Sequence, residues 1–315
     1  MQEKIIYKKI ENVRVDSYLA SKYKKYSRSY IQKLISRQRV LVNDRVVNSN
    51  RKLKYDDVVK IEFGKEKELQ IDSSKIELDI VYEDVDIIVV NKRSGIVVHP
   101  SCGHLSGTLF DALVERSGGK YTPYLVHRLD KCTSGIIIFA KNEESKLSIS
   151  WQFRKRVVKK IYYAIVKGTI VENYGIIKAP IGRSPQNRKL MSVNFFAKKI
   201  AVTKFKVIGR GDDYTLIEVR IFTGRTHQIR VHMNYINRPI IGDRQYGGYE
   251  KIEGKIYNRP LLHAHSITFI HPKTYKTIGF TVELPSDMKE IFKKYSEKFY
   301  FLICFVPSCF FSIAL

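Results

Sequence analysis

The sequence lacks the features of disulfide-bonded, zinc-binding and nucleotide-binding proteins. Its four cysteines, Cys102, Cys132, Cys304 and Cys309, form no C-x-x-C pair and have no histidine at zinc-ligand spacing. Neither GxxxxGK nor GxGxxG occurs, the two glycine-rich patterns that hold the phosphates of nucleotides. We therefore expect no disulfide framework, no structural zinc and no nucleotide cofactor, and a reducing cytoplasm as the compartment.

Acidic residues are scarce. The chain has 31 Asp and Glu against 56 Lys and Arg, which leaves a net charge of +25 over 315 residues. So large an excess favours a polyanionic partner, either nucleic acid or an acidic membrane. The basic residues recur throughout, which indicates a broad binding face rather than a single basic tail. Hydrophobic residues make up 44% of the chain, enough for a real core in one large domain or in a large and a small one.

Long apolar runs are missing until the end of the chain. The opening residues, MQEKIIYKKIENVRVD, have no uninterrupted apolar stretch, so we expect no signal peptide. FYFLICFVPSCFFSIAL (299–315) carries no charge, but its 17 residues fall short of a spanning helix and Pro307 interrupts it. We interpret 297–315 as an atypical apolar tail, either a packed or disordered extension or the product of a shifted reading frame. A membrane anchor is the less favoured alternative.

Residues 12–63 have the pattern of a small basic domain. VRVDSYLASKY (13–23) and RSYIQKLISRQ (28–38) predict two amphipathic helices, because their apolar residues recur at helical spacing. Short strand-like segments follow at 40–43, 46–48 and 57–63, separated by polar turns.

Three cations of the second helix, Arg28, Lys33 and Arg37, fall on the side away from its apolar stripe. We interpret them as nucleic-acid contacts; a solvated helix face is the alternative. The two helices and the VLVN-x-x-VV hairpin resemble the S4-like RNA-binding domain shared by a small-subunit ribosomal protein, tyrosyl-tRNA synthetases and several RNA-modifying enzymes. The resemblance implies that the basic face packs against structured RNA.

Residues 64–77 lack periodicity and are interpreted as a linker, and 78–296 as a second domain. Strand-like segments lie at 86–92, 135–141, 162–168, 214–221, 266–270 and 278–284, and helix-like segments at 107–117, 142–156 and 225–236. Strands outnumber helices, and many are joined by loops too short for a helical crossover. The sequence therefore predicts an α+β fold with a largely antiparallel mixed sheet.

The segment HRLDKCTSG (127–135) brings together side chains that serve many enzyme mechanisms. A triad of Ser134, His127 and Asp130 is disfavoured, because triads converge from separate segments and no GxSxG elbow is present. A nucleophilic Cys132 needs a base and an electropositive pocket, and nothing else marks it. A metal site would require further clustered ligands. A salt-bridged turn without chemistry is the remaining structural alternative.

Asp130 has the more specific interpretation. In an extended segment Arg128 and Asp130 project to the same face, and an arginine at that distance favours an ionised carboxylate. An aspartate of this kind acts as a nucleophile or an electrostatic stabiliser rather than as a general acid.

HRLDKCTSG also resembles the HRLD-x-x-TSG signature of the RluA-type pseudouridine synthases. Three further blocks agree in order: NKRSGIVVHP (91–100), GRTHQIRVHM (224–233) and RPLLHA (259–264). The resemblance covers roughly residues 78 to 295, and Cys132 departs from the acid that many relatives carry. It implies the pseudouridine synthase fold and a reaction that detaches uracil from ribose, rotates it and rejoins it through carbon 5, without cofactor or metal.

By this resemblance Asp130 is the catalytic aspartate, attacking the ribose or acting on the base. Tyr162, in KKIYYAIVKG, is the tyrosine that stacks on the flipped base, although the adjacent Tyr163 is a one-residue alternative. Arg225 is the arginine paired with the aspartate.

Arg128 is thereby free to enter the RNA helix where the uridine leaves, since flipping a base out of a stack costs a few kcal/mol. Ile229 and Leu262 are candidates for the apolar wall of the pocket, with ordinary core positions as the alternative. Basic residues in two loops are candidates for phosphate contacts: Arg183, Arg188, Lys189 and Arg244.

These interpretations predict a cytoplasmic, monomeric enzyme that isomerises specific uridines in structured RNA, with large-subunit ribosomal RNA favoured as substrate. Transfer RNA is the alternative substrate. A catalytically silent RNA-binding or ribosome-assembly factor is the alternative of a different class, and retention of Asp130, Tyr162 and Arg225 together argues against it.

Overall fold

The computed structural model describes residues 2–8, 11–23, 28–63, 76–100, 106–248 and 251–295. The chain divides into two compact units, residues 1–70 and 71–315. Nearly all of the predicted linker 64–77 and the whole apolar tail 297–315 lie outside the described residues. Among the described residues, no helix is both long and apolar enough to cross a membrane.

The first unit combines two helices with a small sheet. Its described elements are α1 (Val15–Lys22), α2 (Arg28–Ser36), β1 (Gln2–Ile6), β2 (Val40–Val42), β3 (Arg45–Val46) and β4 (Val58–Glu62). The strands pair antiparallel in the order β1-β4-β2-β3. Leu19, Ile31 and Val59 belong to one buried cluster, so the helices cover one face of this sheet. The pattern of QEKII was too short to predict β1.

The second unit holds the longer elements. Its described strands are β5 (Ile80–Glu83), β6 (Ile87–Lys92), β7 (Tyr124–Leu125), β8 (Ser134–Ala140), β9 (Lys159–Lys167), β10 (Tyr174–Arg183), β11 (Met191–Val193), β12 (Ile200–Arg210), β13 (Tyr214–Ile221), β14 (Lys251–Ile252), β15 (Lys255–Ile256), β16 (Leu262–Ile270) and β17 (Thr277–Thr281). Its described helices are α3 (Leu109–Ser117), α4 (Glu143–Lys155), α5 (Gln228–Tyr235) and α6 (Ser286–Lys293).

A mixed sheet runs through the second unit in the order β11-β10-β12-β13-β9-β16-β8-β6-β5, with β17 beside β16 and β7 beside β8. Within the described strands the β16–β8 pair is parallel and the other pairs are antiparallel. The predicted α+β class with a largely antiparallel sheet is confirmed.

The central strands are buried on both faces of the sheet. Along β6, Ile88 and Val90 join one apolar cluster, whereas Ile87 and Val89 join another, as the two-residue period of a strand requires. Helices α3 and α5 contribute to the first cluster, and α4 contributes Ile149 to the second. Burial on both faces explains why the sequences of β6 and β8 are almost entirely apolar.

Capping fixes where the helices begin and end. Thr108 and Asp111 form a capping box at the start of α3, and Gly118 ends that helix in the left-handed conformation. Asn142 caps α4 by accepting the backbone N–H of Ser145 at 2.8 Å.

Candidate active site

A cleft of about 530 Å³ opens on the second unit where α4, β9, β16 and α5 meet. The six residues that the sequence predicted for the catalytic domain all line it: Arg128, Asp130, Tyr162, Arg225, Ile229 and Leu262. They come from four separate parts of the chain, and the fold brings them together.

The turn that carries Asp130 is fixed by the glycine of the TSG triplet. The backbone N–H of Thr133 donates to the carbonyl of Asp130 at 3.1 Å, which closes the turn before β8. Gly135 then lies against β16 with φ +111°, and a Cβ there would be 2.1 Å from the carbonyl oxygen of Ala264. Only glycine fits this approach, so the parallel contact between β8 and β16 sets the position of the aspartate.

Lys92, the last residue of β6, and Ser94 hold the backbone of the turn that carries Asp130. The fully buried Lys92 donates its Nζ to the carbonyls of Arg93, Ile96 and Lys131 at 2.9, 2.9 and 3.0 Å. Burial lowers the pKa of Lys92 to about 7, while the three carbonyls match the three N–H groups of its ammonium form. Ser94 adds a hydrogen bond to the carbonyl of Cys132 at 2.8 Å.

The histidine and serine of HRLDKCTSG have structural contacts and form no triad. His127 Nε2 accepts the backbone N–H of Ile138 at 3.0 Å, and burial lowers the pKa of His127 to about 3, so its ring is neutral. The ring stacks on Phe153 at 4.7 Å. Ser134 Oγ contacts Nδ1 of His263 at 2.9 Å rather than His127.

The expected pairing of Arg225 with Asp130 is wrong, because Arg230 forms the ion pair. Arg230 Nη1 lies 3.5 Å from Asp130 Oδ2. Arg225 precedes α5 and lines the cleft, but its buried Nε has no hydrogen-bond partner among the described residues. Five residues further on, Arg230 lies within α5 on its buried side, where it reaches the aspartate.

Arg230 is held by a second carboxylate. Its Nε and Nη2 donate to the two oxygens of buried Asp243 at 2.7 and 2.8 Å, and Nη2 also donates to Gln245 at 2.8 Å. Burial lowers the pKa of Arg230, but the hydrogen bond to Asp243 and the charges of Asp243 and Asp130 together outweigh it, and the pKa is raised. The guanidinium also lies over the ring of Tyr246 at 4.8 Å. The sequence analysis missed Asp243, Gln245 and Tyr246, which lie in no block that it matched.

The two tyrosines of β9 lie on opposite faces of the sheet. Tyr162 belongs to the apolar cluster under the cleft, together with Leu262 and Ile229. Tyr163 packs on the other side against Phe292 and His265. Burial, followed by the nearby charge of Asp130, raises the pKa of Tyr162, so its hydroxyl keeps its proton.

The remaining residues of the cleft divide into an exposed cation and an apolar wall. Arg128 is exposed at the cleft, whereas Ile229 and Leu262 are only 4% and 3% exposed. The buried apolar side chains suit contact with a planar base. The exposed cation suits contact with a phosphate backbone outside the cleft.

In the first unit, Arg28 is half-exposed and donates to the buried carboxylate of Asp16 at 3.0 Å. Burial would raise the pKa of Asp16, but hydrogen bonds from Gln32, Arg14 and Arg28 lower it to about 2. Arg37 is exposed, and the side chain of Lys33 lies outside the described part. Arg28 therefore has a structural contact as well as an open surface.

One group of side chains has the spacing of metal ligands. Atoms of Asp84, Asp86 and His271 lie within 4.8 Å of one another. Asp84 already accepts the backbone N–H groups of Asp86 and Ile87, both at 2.8 Å, and meets Nε2 of His271 at 2.8 Å. These bonds close the turn between β5 and β6, and the group does not line the cleft.

Two family models match the sequence. The model described as "RNA pseudouridylate synthase" matches residues 86–235, and the "S4 domain" model matches 13–59. These matches place the chain among enzymes that modify RNA.

Relatives that cover most of the chain identify the family. An uncharacterized RNA pseudouridine synthase of Bacillus subtilis (strain 168) is 41% identical over 88% of this chain and 92% of its own length. Ribosomal large subunit pseudouridine synthase D of Neisseria meningitidis (serogroup A, serotype 4A) is 38% identical over 87% of this chain and 76% of its own. The solved structure of human RNA pseudouridylate synthase domain containing 1 covers 70% of this chain and 94% of its own, with a TM-score of 0.54 and 26% identity. The chain belongs to the RNA pseudouridine synthase family.

Proposed function

We propose that this enzyme isomerises specific uridines of large-subunit ribosomal RNA, working as a monomer in the cytoplasm. Relatives named ribosomal large subunit pseudouridine synthase D, 38–39% identical over nearly nine tenths of the chain, support this substrate. The match to the S4 domain in the first unit supports a structured RNA.

The observation that carries the proposal is the position of Asp130. Its carboxylate lies in the cleft beside the charge of Arg230, which Asp243 fixes in place. A uracil nucleotide seated on Leu262 and the ring of Tyr162 brings its ribose and base to this carboxylate. Asp130 then either displaces uracil from the anomeric carbon, forming an ester to the ribose as the glycosidic bond breaks, or adds to the base before that bond breaks, and Arg230 stabilises the charge that develops. When carbon 5 of the rotated base bonds to the ribose, the carboxylate is released, carbon 5 loses its proton and nitrogen 1 takes one up.

Tyr162 acts as a stacking surface and a proton donor. A ring against the flipped base replaces stacking worth about 1–3 kcal/mol. Its raised pKa excludes a phenolate base at neutral pH, so the hydroxyl donates a proton or a hydrogen bond.

Two arginines meet the RNA around the nucleotide. Arg128, exposed beside Asp130, fills the gap that the flipped uridine leaves in the helix. Arg225 contacts a phosphate, which satisfies the buried Nε that has no partner among the described residues.

The test is Asp130→Asn, which keeps the shape of the side chain and removes its charge. We expect RNA binding to persist while turnover falls by about a thousandfold or more, as for loss of a covalent catalyst. Pseudouridine would be mapped in ribosomal and transfer RNA from cells that carry the gene, lack it, or express only the variant. The same large-subunit positions should be lost in the last two.

Near-normal turnover of the variant would overturn the role of Asp130. Loss of pseudouridine from transfer RNA alone would overturn the substrate and leave the chemistry standing.

A further inference from the structure

Two adjacent phenylalanines occupy the tip of the loop 194–199, which joins β11 to β12, two strands that both pair with β10. Phe195 is 71% exposed and Phe196 96% exposed, the highest value among the large hydrophobic side chains described. Exposed aromatic rings side by side are unfavourable in water, so this tip is a candidate contact surface.

The backbone of the tip is held by hydrogen bonds. The side-chain oxygen of Asn194 accepts the N–H of Phe196 at 3.0 Å, and its carbonyl accepts the N–H of Ala197 at 2.9 Å. The amide nitrogen of Asn194 donates to the carbonyl of Arg183 at 3.1 Å. The rings therefore project from an ordered turn, which lowers the entropy cost of binding.

The surroundings of the tip are cationic. Residues 173–211 contain nine Lys and Arg and no Asp or Glu. Five of these cations are exposed between the end of β10 and the start of β12: Arg183, Arg188, Lys189, Lys198 and Lys199. Aromatic rings among exposed cations match a partner that offers both flat bases and phosphates.

Both strands that flank the loop 194–199 are anchored to the wall of the active-site cleft. In β12 the N–H of Val202 donates to Oγ1 of Thr223 at 3.0 Å, and Thr223 lines the cleft. In β11 the N–H of Met191 donates to the hydroxyl of Tyr246 at 3.1 Å, and that hydroxyl contacts Nδ1 of His227, which also lines the cleft, at 2.7 Å. The loop 194–199 is therefore joined on both sides to residues that line the cleft or contact its lining.

We propose that the Phe195–Phe196 tip is a stacking site for an unpaired base of the RNA substrate, outside the target uridine, with the neighbouring cations holding the adjoining phosphates. This rests on the proposed RNA-modifying function. Recognition of splayed bases on aromatic rings is the usual way in which proteins read unpaired RNA. An anionic membrane would also suit rings and cations, but the attachment of the strands beside this loop to the cleft wall favours RNA.

The test compares the full-length protein with the double variant Phe195→Ala/Phe196→Ala. The probes are a short single-stranded RNA of mixed sequence and an abasic strand of the same length. We expect the dissociation constant for the RNA to rise by about tenfold or more and that for the abasic strand to stay unchanged, because it offers no base to stack. Phe196→Trp should keep most of the affinity, and Phe196→Leu should lose it.

Tyr174→Ala is the matched control. This tyrosine is 78% exposed in the same basic segment but pairs with Lys206 at the far end of β10, ~20 Å from the tip at 3.3 Å per residue. The Tyr174→Ala variant should bind both probes as the unchanged protein does. Thermal unfolding should show that all variants are folded.

Equal loss on both probes, or no loss on either, would overturn the stacking site. So would phenylalanine-dependent sedimentation with phosphatidylserine vesicles without any effect on RNA. These outcomes are separate from the proposed function, which fails only if the unchanged protein leaves large-subunit ribosomal RNA unmodified in cells.

Discussion

Tyr162 and Tyr163 are neighbours in the sequence but face different surroundings, the first the cleft and the second a core on the other side of the sheet. A strand alternates its side chains between two faces, so a one-residue change of register exchanges a functional position for a packing position. The sequence pattern alone did not decide which tyrosine faces the cleft. The structure distinguishes them, because they lie on opposite faces of the sheet.

The two tyrosines provide a matched pair of variants. Tyr162→Phe keeps the stacking ring and loses the proton donor, and we expect kcat to fall by about a hundredfold, the scale of general acid–base catalysis. Tyr163→Phe should leave kcat unchanged and lower the free energy of unfolding by about 1 kcal/mol. Single-turnover assays and urea unfolding measure the two effects. A larger loss of kcat in Tyr163→Phe would show that the tyrosines have been assigned in reverse.

The motif GRTHQIR alone does not show which of its arginines pairs with Asp130. GRTHQIR contains two arginines five residues apart, and the sequence selected Arg225. The chain turns at His227, which has the left-handed φ of +55° and precedes α5. This turn leaves Arg225 outside the helix and places Arg230 on its buried side. A backbone conformation that is uncommon for a non-glycine residue gives no signal in a single sequence.

At the scale of elements, long apolar runs such as β6 and β8 were predictable and β10 and β12 were not. Those two strands alternate buried residues with exposed lysines, for example Lys204 and Lys206 in β12. Short polar–apolar alternation with many cations also fits a surface loop, so the pattern had no unique interpretation. The loop that carries Phe195 and Phe196 lies in the part of the fold that the sequence left unassigned.

Because β8 and β16 approach closely at Gly135, we expect one added methyl group there to destabilise the protein. Gly135→Ala brings a Cβ to 2.1 Å from the carbonyl of Ala264, so we expect a loss of about 3 kcal/mol or more of unfolding free energy together with a fall in kcat. Gly95→Ala is the control, because Gly95 also has a positive φ, +90°, but has nothing within 4 Å of the added Cβ. It should cost about 1–2 kcal/mol. Equal losses in urea unfolding would show that backbone strain, rather than the close approach, explains the glycine.

At the scale of the whole molecule, the cations predicted a polyanionic partner, and each unit has its own apolar core. Deleting residues 1–75 should therefore leave a folded second unit that binds structured RNA less tightly. The slope of log affinity against log salt should also become shallower, since fewer phosphates are neutralised and fewer counterions released. Filter binding over a range of salt concentrations measures this. An unchanged slope would argue against the first unit as an RNA-binding domain.

The parallel pairing of β8 with β16 also determines when the enzyme becomes active during its own synthesis. Ser134 and His263, which pair across it, are separated by 129 positions, and the Asp130 turn takes its place against the later strand. A ribosome that has made β8, β9 and even α5 holds a chain whose central strands are still incomplete. Because a chain emerges at about 5–20 residues per second, several seconds pass between the synthesis of Asp130 and that of β16, which supports its turn. We therefore expect a nascent chain to modify RNA only after β16 has left the exit tunnel.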